Sequence, residues 1–227
     1  MKYADIGTDE QFVREFLEVA TLLDGVYLPN EAKKATKELL MSVMVDGVMP
    51  AFLELRAIRE SKGKDLPVID RHQLFEDFTR KIWKAYKDLT QTAVRSMGFN
   101  IGFLYQGEKE FESGLADFRK QFASVYPNFE LYLRGVRNTW QNDLSKFRNS
   151  FVEHQQAERS EFAKFYDPEL VEELFFAAWR TVVNIFVMLM NLLTPPWSQI
   201  VEHCDEVHGP GWPNRFRWDI NVPCKAS

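Results

Sequence analysis

Residues 129–151, FELYLRGVRNTWQNDLSKFRNSF, place Phe129, Leu133, Val136, Trp140, Leu144, Phe147 and Phe151 at steps of three or four. That spacing is one face of an amphipathic α-helix with its apolar stripe turned to a core. The run ends in Phe147-Arg148-Asn149-Ser150-Phe151-Val152-Glu153-His154, where a cation, an amide, a hydroxyl, a carboxylate and an imidazole fall within eight residues. A buried helix has little use for that set. Phosphodiester chemistry does, because Arg neutralises charge on phosphoryl oxygens and His moves protons near neutral pH.

The same helical period governs the rest of the chain. Thr8-Asp9-Glu10-Gln11 has the form of a capping box, and Phe12, Phe16, Val19, Ala20 and Leu23 follow at helical spacing. A second helix, capped by Asn30, carries Ala35, Leu39, Leu40, Val43 and Met44, with Gly47 and Pro50 read as its interruption before Phe52, Leu55 and Ile58 resume the pattern. Residues 61–67 read as an exposed loop. A helix from about Asp70 bears Leu74, Phe75, Phe78, Ile82, Trp83, Tyr86 and Leu89. Phe99 to Tyr105, bracketed by Gly98 and Gly107, is expected to be a buried connector rather than a strand, and a helix from about Glu108 carries Phe111, Leu115, Phe118 and Phe122. Tyr126-Pro127-Asn128 breaks it. Gln155 to Lys164 is polar and reads as an exposed loop or frayed helix end. Asp167-Pro168-Glu169 then supplies a cap, a Pro at the first helical position and an acidic first turn.

Leu174 to Leu193 is the most apolar stretch, and its 20 residues are long enough to cross a bilayer. Arg180 and Asn184 would each be costly in lipid, and neither flank carries a basic cluster, so the expectation is the central helix of a bundle. Arg180 then needs a partner, and pairing with a carboxylate is preferred to a place in a cleft. Beyond Pro195-Pro196 the composition is that of loops, with Trp197, Trp212 and Trp218 as candidate anchors. With no repeat and no period-two run long enough for a sheet, the fold expected is all-α. It is a bundle of five to seven helices over residues 1–194, with an irregular C-terminal extension over 195–227 packed on it.

Composition bounds the function. The 227 residues, 45% of them apolar with 19 Phe and 6 Trp, suit one domain with a sizeable core. A net charge of −5 argues against a broad nucleic-acid surface, so any RNA contact is local. The polar start lacks the layout of a signal peptide, and Cys204 and Cys224 form no disulfide framework; a cytoplasmic location is expected.

Arg148, the following Asn149, and His154 five intervening residues later resemble the motif of the HEPN superfamily, compact α-helical domains with an Arg, a polar residue and then a His. The likeness is carried by residues 129–193. It implies a homodimer with two motifs facing across a cleft, and a metal-independent endoribonuclease without a cofactor. RNA would be cut by attack of its own 2′-hydroxyl, with His154 in proton transfer and Arg148 stabilising the charged phosphorane-like state. Asn149 would bind phosphate or orient His154, and Ser150, at i−4 from His154, would bond its ring. Such proteins act in toxin-antitoxin or antiphage systems, which implies a cognate antitoxin or regulatory protein as partner. No membrane is implied.

Two residues six apart lie roughly 120° apart on an ideal helix. Arg148 and His154 therefore converge only if the helix ends or loosens near Phe151 to Glu153, or if a second subunit completes the site. The plain alternative is a pair of solvated residues at a helix end, and with it a non-catalytic dimeric binding or scaffold module of the same ancestry. A third reading is a small-ligand bundle with an aromatic interior. Glu153 would repel a phosphate and is expected in solvent or on Arg159. His203, Cys204, His208 and Cys224 are poorly spaced for zinc, and no metal site is expected. His72 reads as a surface residue.

Overall fold

A computed structural model describes residues 8–25, 31–93, 101–122, 129–149, 167–193, 198–203 and 215–220. Helix α1 (Asp9–Gly25) begins as the sequence implies: Thr8 Oγ1 accepts the Gln11 backbone N–H at 3.2 Å. The return half of the capping box is not made by the Gln11 side chain, whose amide donates instead to Glu15 at 2.9 Å. Helix α2 (Glu31–Ser42) runs through a widened turn (Val43–Val48) directly into α3 (Met49–Ser61). The expected interruption at Gly47 and Pro50 is therefore absent. In a regular helix Pro50 would clash with the carbonyl four residues back and leave a bond unmade. The wider turn relieves this, with the Met49 N–H reaching the Met44 carbonyl five residues back. Gly47 serves packing: a Cβ there would lie 2.8 Å from the Cβ of Ala85 on the crossing helix.

That crossing helix, α4 (Val68–Lys87), follows the exposed turn at residues 61–67, where Gly63 adopts φ +83°, and it extends through a wide turn to Ala93. The connector is helical rather than strand-like. Gly102–Tyr105 forms one 3₁₀ turn, and Ile101, Phe103 and Leu104 are buried. Helix α5 (Glu108–Phe122) is tied to α6 (Phe129–Val136) by ion pairs. Glu130 accepts two bonds from Arg119 at 2.6 and 2.5 Å, and Arg134 reaches both Glu112 and Glu130. The Arg119 contact holds the Glu130 carboxyl below the usual carboxylate range. A third wide turn (Arg137–Gln141) joins α6 to α7 (Asn142–Arg148).

Helix α8 (Pro168–Leu193) starts where the Asp-Pro-Glu signal puts it, with Asp167 Oδ1 accepting the Glu169 N–H at 2.9 Å. It packs on α3, on α4 and on the wide turn before α7. Its first half is core: Val171, Leu174, Phe175, Ala178 and Trp179 are buried. Among the described residues no helix is long and apolar enough to cross a membrane. The bundle centres on Phe12, fully buried, whose ring lies 4.3 Å from Phe52, 4.9 Å from Trp179 and 5.1 Å from Phe175. One ring thus joins α1, α3 and α8. Buried Thr79, Thr90 and Thr181 satisfy their hydroxyls on carbonyls four residues back in their own helices.

Arg180 is paired as expected. Its Nη1 lies 3.1 Å from Glu15 Oε1, and Trp179 Nε1 donates to Glu15 Oε2 at 2.8 Å. The extension read as irregular carries one regular element among the described residues. Strands β1 (Ser198–His203) and β2 (Arg215–Ile220) pair antiparallel, Ser198 opposite Ile220 and His203 opposite Arg215, and both strands approach α8. Phe216, Trp218 and Ile220 do alternate with polar neighbours, over a run too short to have stood out. The chain is an all-α bundle with a two-stranded ribbon after its last helix.

Candidate functional site at the Arg148 face

The kinked rod formed by α6, a wide turn broken at Thr139 (φ −113°, ψ −110°) and α7 presents two stripes. Leu133, Val136, Trp140, Leu144 and Phe147 form the buried one, with Trp140 packed 4.7 Å from Tyr86 of α4. Beside it runs a polar line, Asn138, Asn142, Ser145 and Asn149, again at steps of three or four. The first three of these face a cleft of about 390 Å³ between the rod, α4 and the 3₁₀ turn, walled by Trp83, Leu104, Tyr105, Gln106, Glu108, Arg137 and Gln141.

The back wall is fixed by Gln141, which is buried and bonds in two directions. Its Oε1 accepts the Tyr86 hydroxyl at 3.1 Å, and its Nε2 donates to the Leu104 carbonyl. A single amide thus ties α4, the 3₁₀ turn and the rod together around the cleft. Arg137 is pinned as well, its Nη1 donating to the Gln106 carbonyl at 2.8 Å, its Nη2 3.3 Å from Glu108 and its Cζ 4.3 Å from the Phe111 ring centre. Tyr105 packs edge-on to Trp83 with centroids 5.4 Å apart, and its hydroxyl bonds Thr90. Burial pushes the Tyr105 phenol well above its ordinary range. It therefore stays neutral at physiological pH and is no proton acceptor there.

Arg148 is partly buried, and its guanidinium carbon lies 5.1 Å from the Trp83 ring centre. The same indole that walls the cleft carries the motif's cation, so Arg148 sits beside the cleft rather than trailing into solvent. Asn149 is exposed, keeps helical dihedrals (φ −62°, ψ −39°), and its N–H still bonds the Ser145 and Lys146 carbonyls. The helix is thus intact as far as Asn149. Ser150 and His154 lie outside the described residues, as do Glu153, Arg159, the polar stretch Gln155 to Lys164, Cys204, His208, Cys224, Trp197 and Trp212. Among the described residues no cluster of three or more His, Cys, Asp or Glu is disposed to hold a metal. His72 pairs loosely with Glu76, Nδ1 to Oε2 3.9 Å.

Asn138, Asn142, Ser145 and Gln141, which line the cleft, are not singled out in the sequence as Arg148 is. The signal was there: a polar residue recurring at helical spacing next to the apolar stripe, on a helix otherwise rich in charge. Against known proteins, the chain matches no family model, no curated protein and no solved structure.

Proposed function

We propose that the chain is a HEPN-like, metal-independent endoribonuclease whose reacting phosphodiester docks at Arg148. The observation that carries this reading is the position of Arg148, a partly buried guanidinium seated on Trp83 at the edge of a polar cleft. A cation so placed is preorganised for an anion, because its planar fork is held before the ligand arrives and little ordering remains to be done on binding. In the reaction, the 2′-oxygen forms a bond to phosphorus as the bond to the 5′-oxygen breaks. One proton leaves the 2′-hydroxyl and one is delivered to the departing 5′-oxygen. His154 serves proton transfer, and Arg148 meets the charge building on the non-bridging oxygens. Asn149, next to Arg148 and exposed, and Ser150 are the substrate-binding residues of this reading.

Dimerisation supplies what one helix face does not. An isologous contact through the Arg148 face brings two guanidinium groups and two imidazoles to one cleft. An antitoxin or other regulatory protein would be the natural partner of such an enzyme in a toxin-antitoxin or antiphage setting.

A second reading rests on the same contact. Arg148 packed on Trp83 also closes a helix crossing, and a non-catalytic dimeric binding module would keep that packing without any cleavage. The two separate in one experiment. A mixed RNA pool incubated with the full chain in excess EDTA is expected to yield fragments with 2′,3′-cyclic phosphate ends. Intact RNA throughout would favour the binding module, and cleavage that vanishes with EDTA would contradict the metal-independent mechanism.

A further inference from the structure

We infer that Trp83 and Tyr105 are a pair of positioning residues for the proposed cleavage: Tyr105 fixes the indole of Trp83, and the indole fixes where the Arg148 guanidinium meets the phosphodiester. This inference rests on the ribonuclease reading above and assigns to it two residues outside the motif.

One stripe of α4 and its wide turn grips Tyr105. Trp83, Tyr86 and Thr90 follow one another at steps of three and four, so they share a face. Each of them meets the Tyr105 side chain: Trp83 with ring centroids 5.4 Å apart and planes 78° apart, Tyr86 also at 5.4 Å, and Thr90 through a hydrogen bond between the two hydroxyls. Near-perpendicular ring packing has a preferred geometry, so it holds the orientation of the indole as well as its place. The backbone beside Tyr105 is fixed too. The Leu104 carbonyl accepts from the Gln141 amide, and Gln141 in turn accepts the Tyr86 hydroxyl, which closes a loop of contacts through α4, the 3₁₀ turn and the rod.

Arg148 stands two helical turns beyond Gln141 on that rod, so the loop sets its backbone, while Trp83, 5.1 Å from the guanidinium carbon, sets its side chain. A long side chain in water can reach a phosphate through many rotamers. A fork seated on a fixed ring reaches it in one way, and an error of about 1 Å in the place of a reacting group can cost about 10²-fold in rate. Removing either ring leaves the charge present and loses its aim.

The test joins two readouts on the full chain. In nuclear magnetic resonance with isotope-labelled arginine, the Arg148 Nε–H signal, identified by its loss in Arg148→Ala, is expected upfield because of the indole ring current. Trp83→Leu should return it to the ordinary arginine position, and Tyr105→Leu should move it the same way by a smaller amount. Tyr105→Phe keeps the ring and should leave the signal near its wild-type position. Trp83 is only partly buried, so Trp83→Leu still tests the pair if Tyr105→Leu lowers helix content by circular dichroism. Single-turnover cleavage in excess EDTA should slow about tenfold in each leucine variant, while affinity for an uncleavable 2′-O-methyl RNA stays near that of wild type, because aim matters in the transition state. In an Arg148→Ala background neither leucine substitution should slow cleavage further, whereas a merely structural role would slow both backgrounds alike. An Arg148 signal that ignores both leucine substitutions, or equal slowing in the two backgrounds, would overturn the positioning role and leave the ribonuclease reading intact. A wild type that cuts no RNA would overturn the ribonuclease reading and the role in cleavage with it, even where the signal moves as expected.

Discussion

His154→Ala and Arg148→Ala are each expected to slow RNA cleavage by a factor of about 10² to 10⁴, the usual worth of a positioned proton-transfer group and of a comparable charge contact to the reacting phosphoryl. The two losses should differ in kind. His154→Ala removes proton transfer and should leave RNA affinity nearly as it was. Arg148→Ala removes a contact to charge that grows during the reaction, and also a cation–π contact to Trp83 worth about 1 kcal/mol of stability. Arg148→Lys separates these effects. It keeps a charge near the phosphate but loses the planar fork and its seat on the indole, so it should recover only part of the rate. Single-turnover rates for the three variants, read beside their urea midpoints, check the scheme; cleavage that survives both alanine substitutions would remove Arg148 and His154 from the chemistry.

Glu15→Ala should be the costliest change among the polar residues of the α1–α8 seam, at about 3 kcal/mol. Its carboxylate accepts from Gln11 Nε2, Trp179 Nε1 and Arg180 Nη1, in a place where Arg180 is 15% and Glu15 16% exposed. Losing an ion-pair partner in so dry a setting costs more than the pair contributes when intact, because the desolvation of the remaining charge is no longer offset. Glu15→Gln keeps an acceptor for Trp179 and should cost less. In an Arg180→Ala background, Glu15→Ala should be milder, and a double-mutant cycle in urea should return a coupling of about 1 kcal/mol or more. A Glu15→Ala midpoint within experimental error of wild type would show that the seam is held by its rings alone.

Those rings were legible in the sequence, and the seam's polar partner was not. Phe12 and Phe16 stand at helical spacing, and Phe175 and Trp179 do so within the apolar run from Leu174 to Leu193, though spacing alone does not say that the two faces meet. That Arg180 would take a carboxylate followed from the cost of leaving it unpaired, yet nothing local in the chain points to Glu15, 165 residues away. The helix starts at Thr8 and Asp167 were readable because capping is decided within four residues. Gly47 and Pro50 misled for the converse reason. Their local preference is to end a helix, but a close crossing with Ala85 and a widened turn let the helix run on. At the cleft, the apolar stripe drew the reading toward the core and toward Arg148, while the parallel line of Asn138, Asn142 and Ser145 acquires meaning only once Trp83 and Tyr105 are packed opposite. Phe216, Trp218 and Ile220 carried the period of a strand, but a six-residue ribbon against α8 gives too short a pattern to distinguish from a loop.

The proposed reaction turns on the substrate's own 2′-hydroxyl. The most direct measurement is cleavage, in excess EDTA, of one RNA sequence and of the same sequence carrying a single 2′-deoxynucleotide on the 5′ side of the cut bond. The intact RNA should be cut there, and the substituted one should bind with similar affinity and resist cutting at that position only. Equal cleavage of both would contradict attack by the 2′-oxygen and, with it, the assignment of Arg148 and His154 to this reaction.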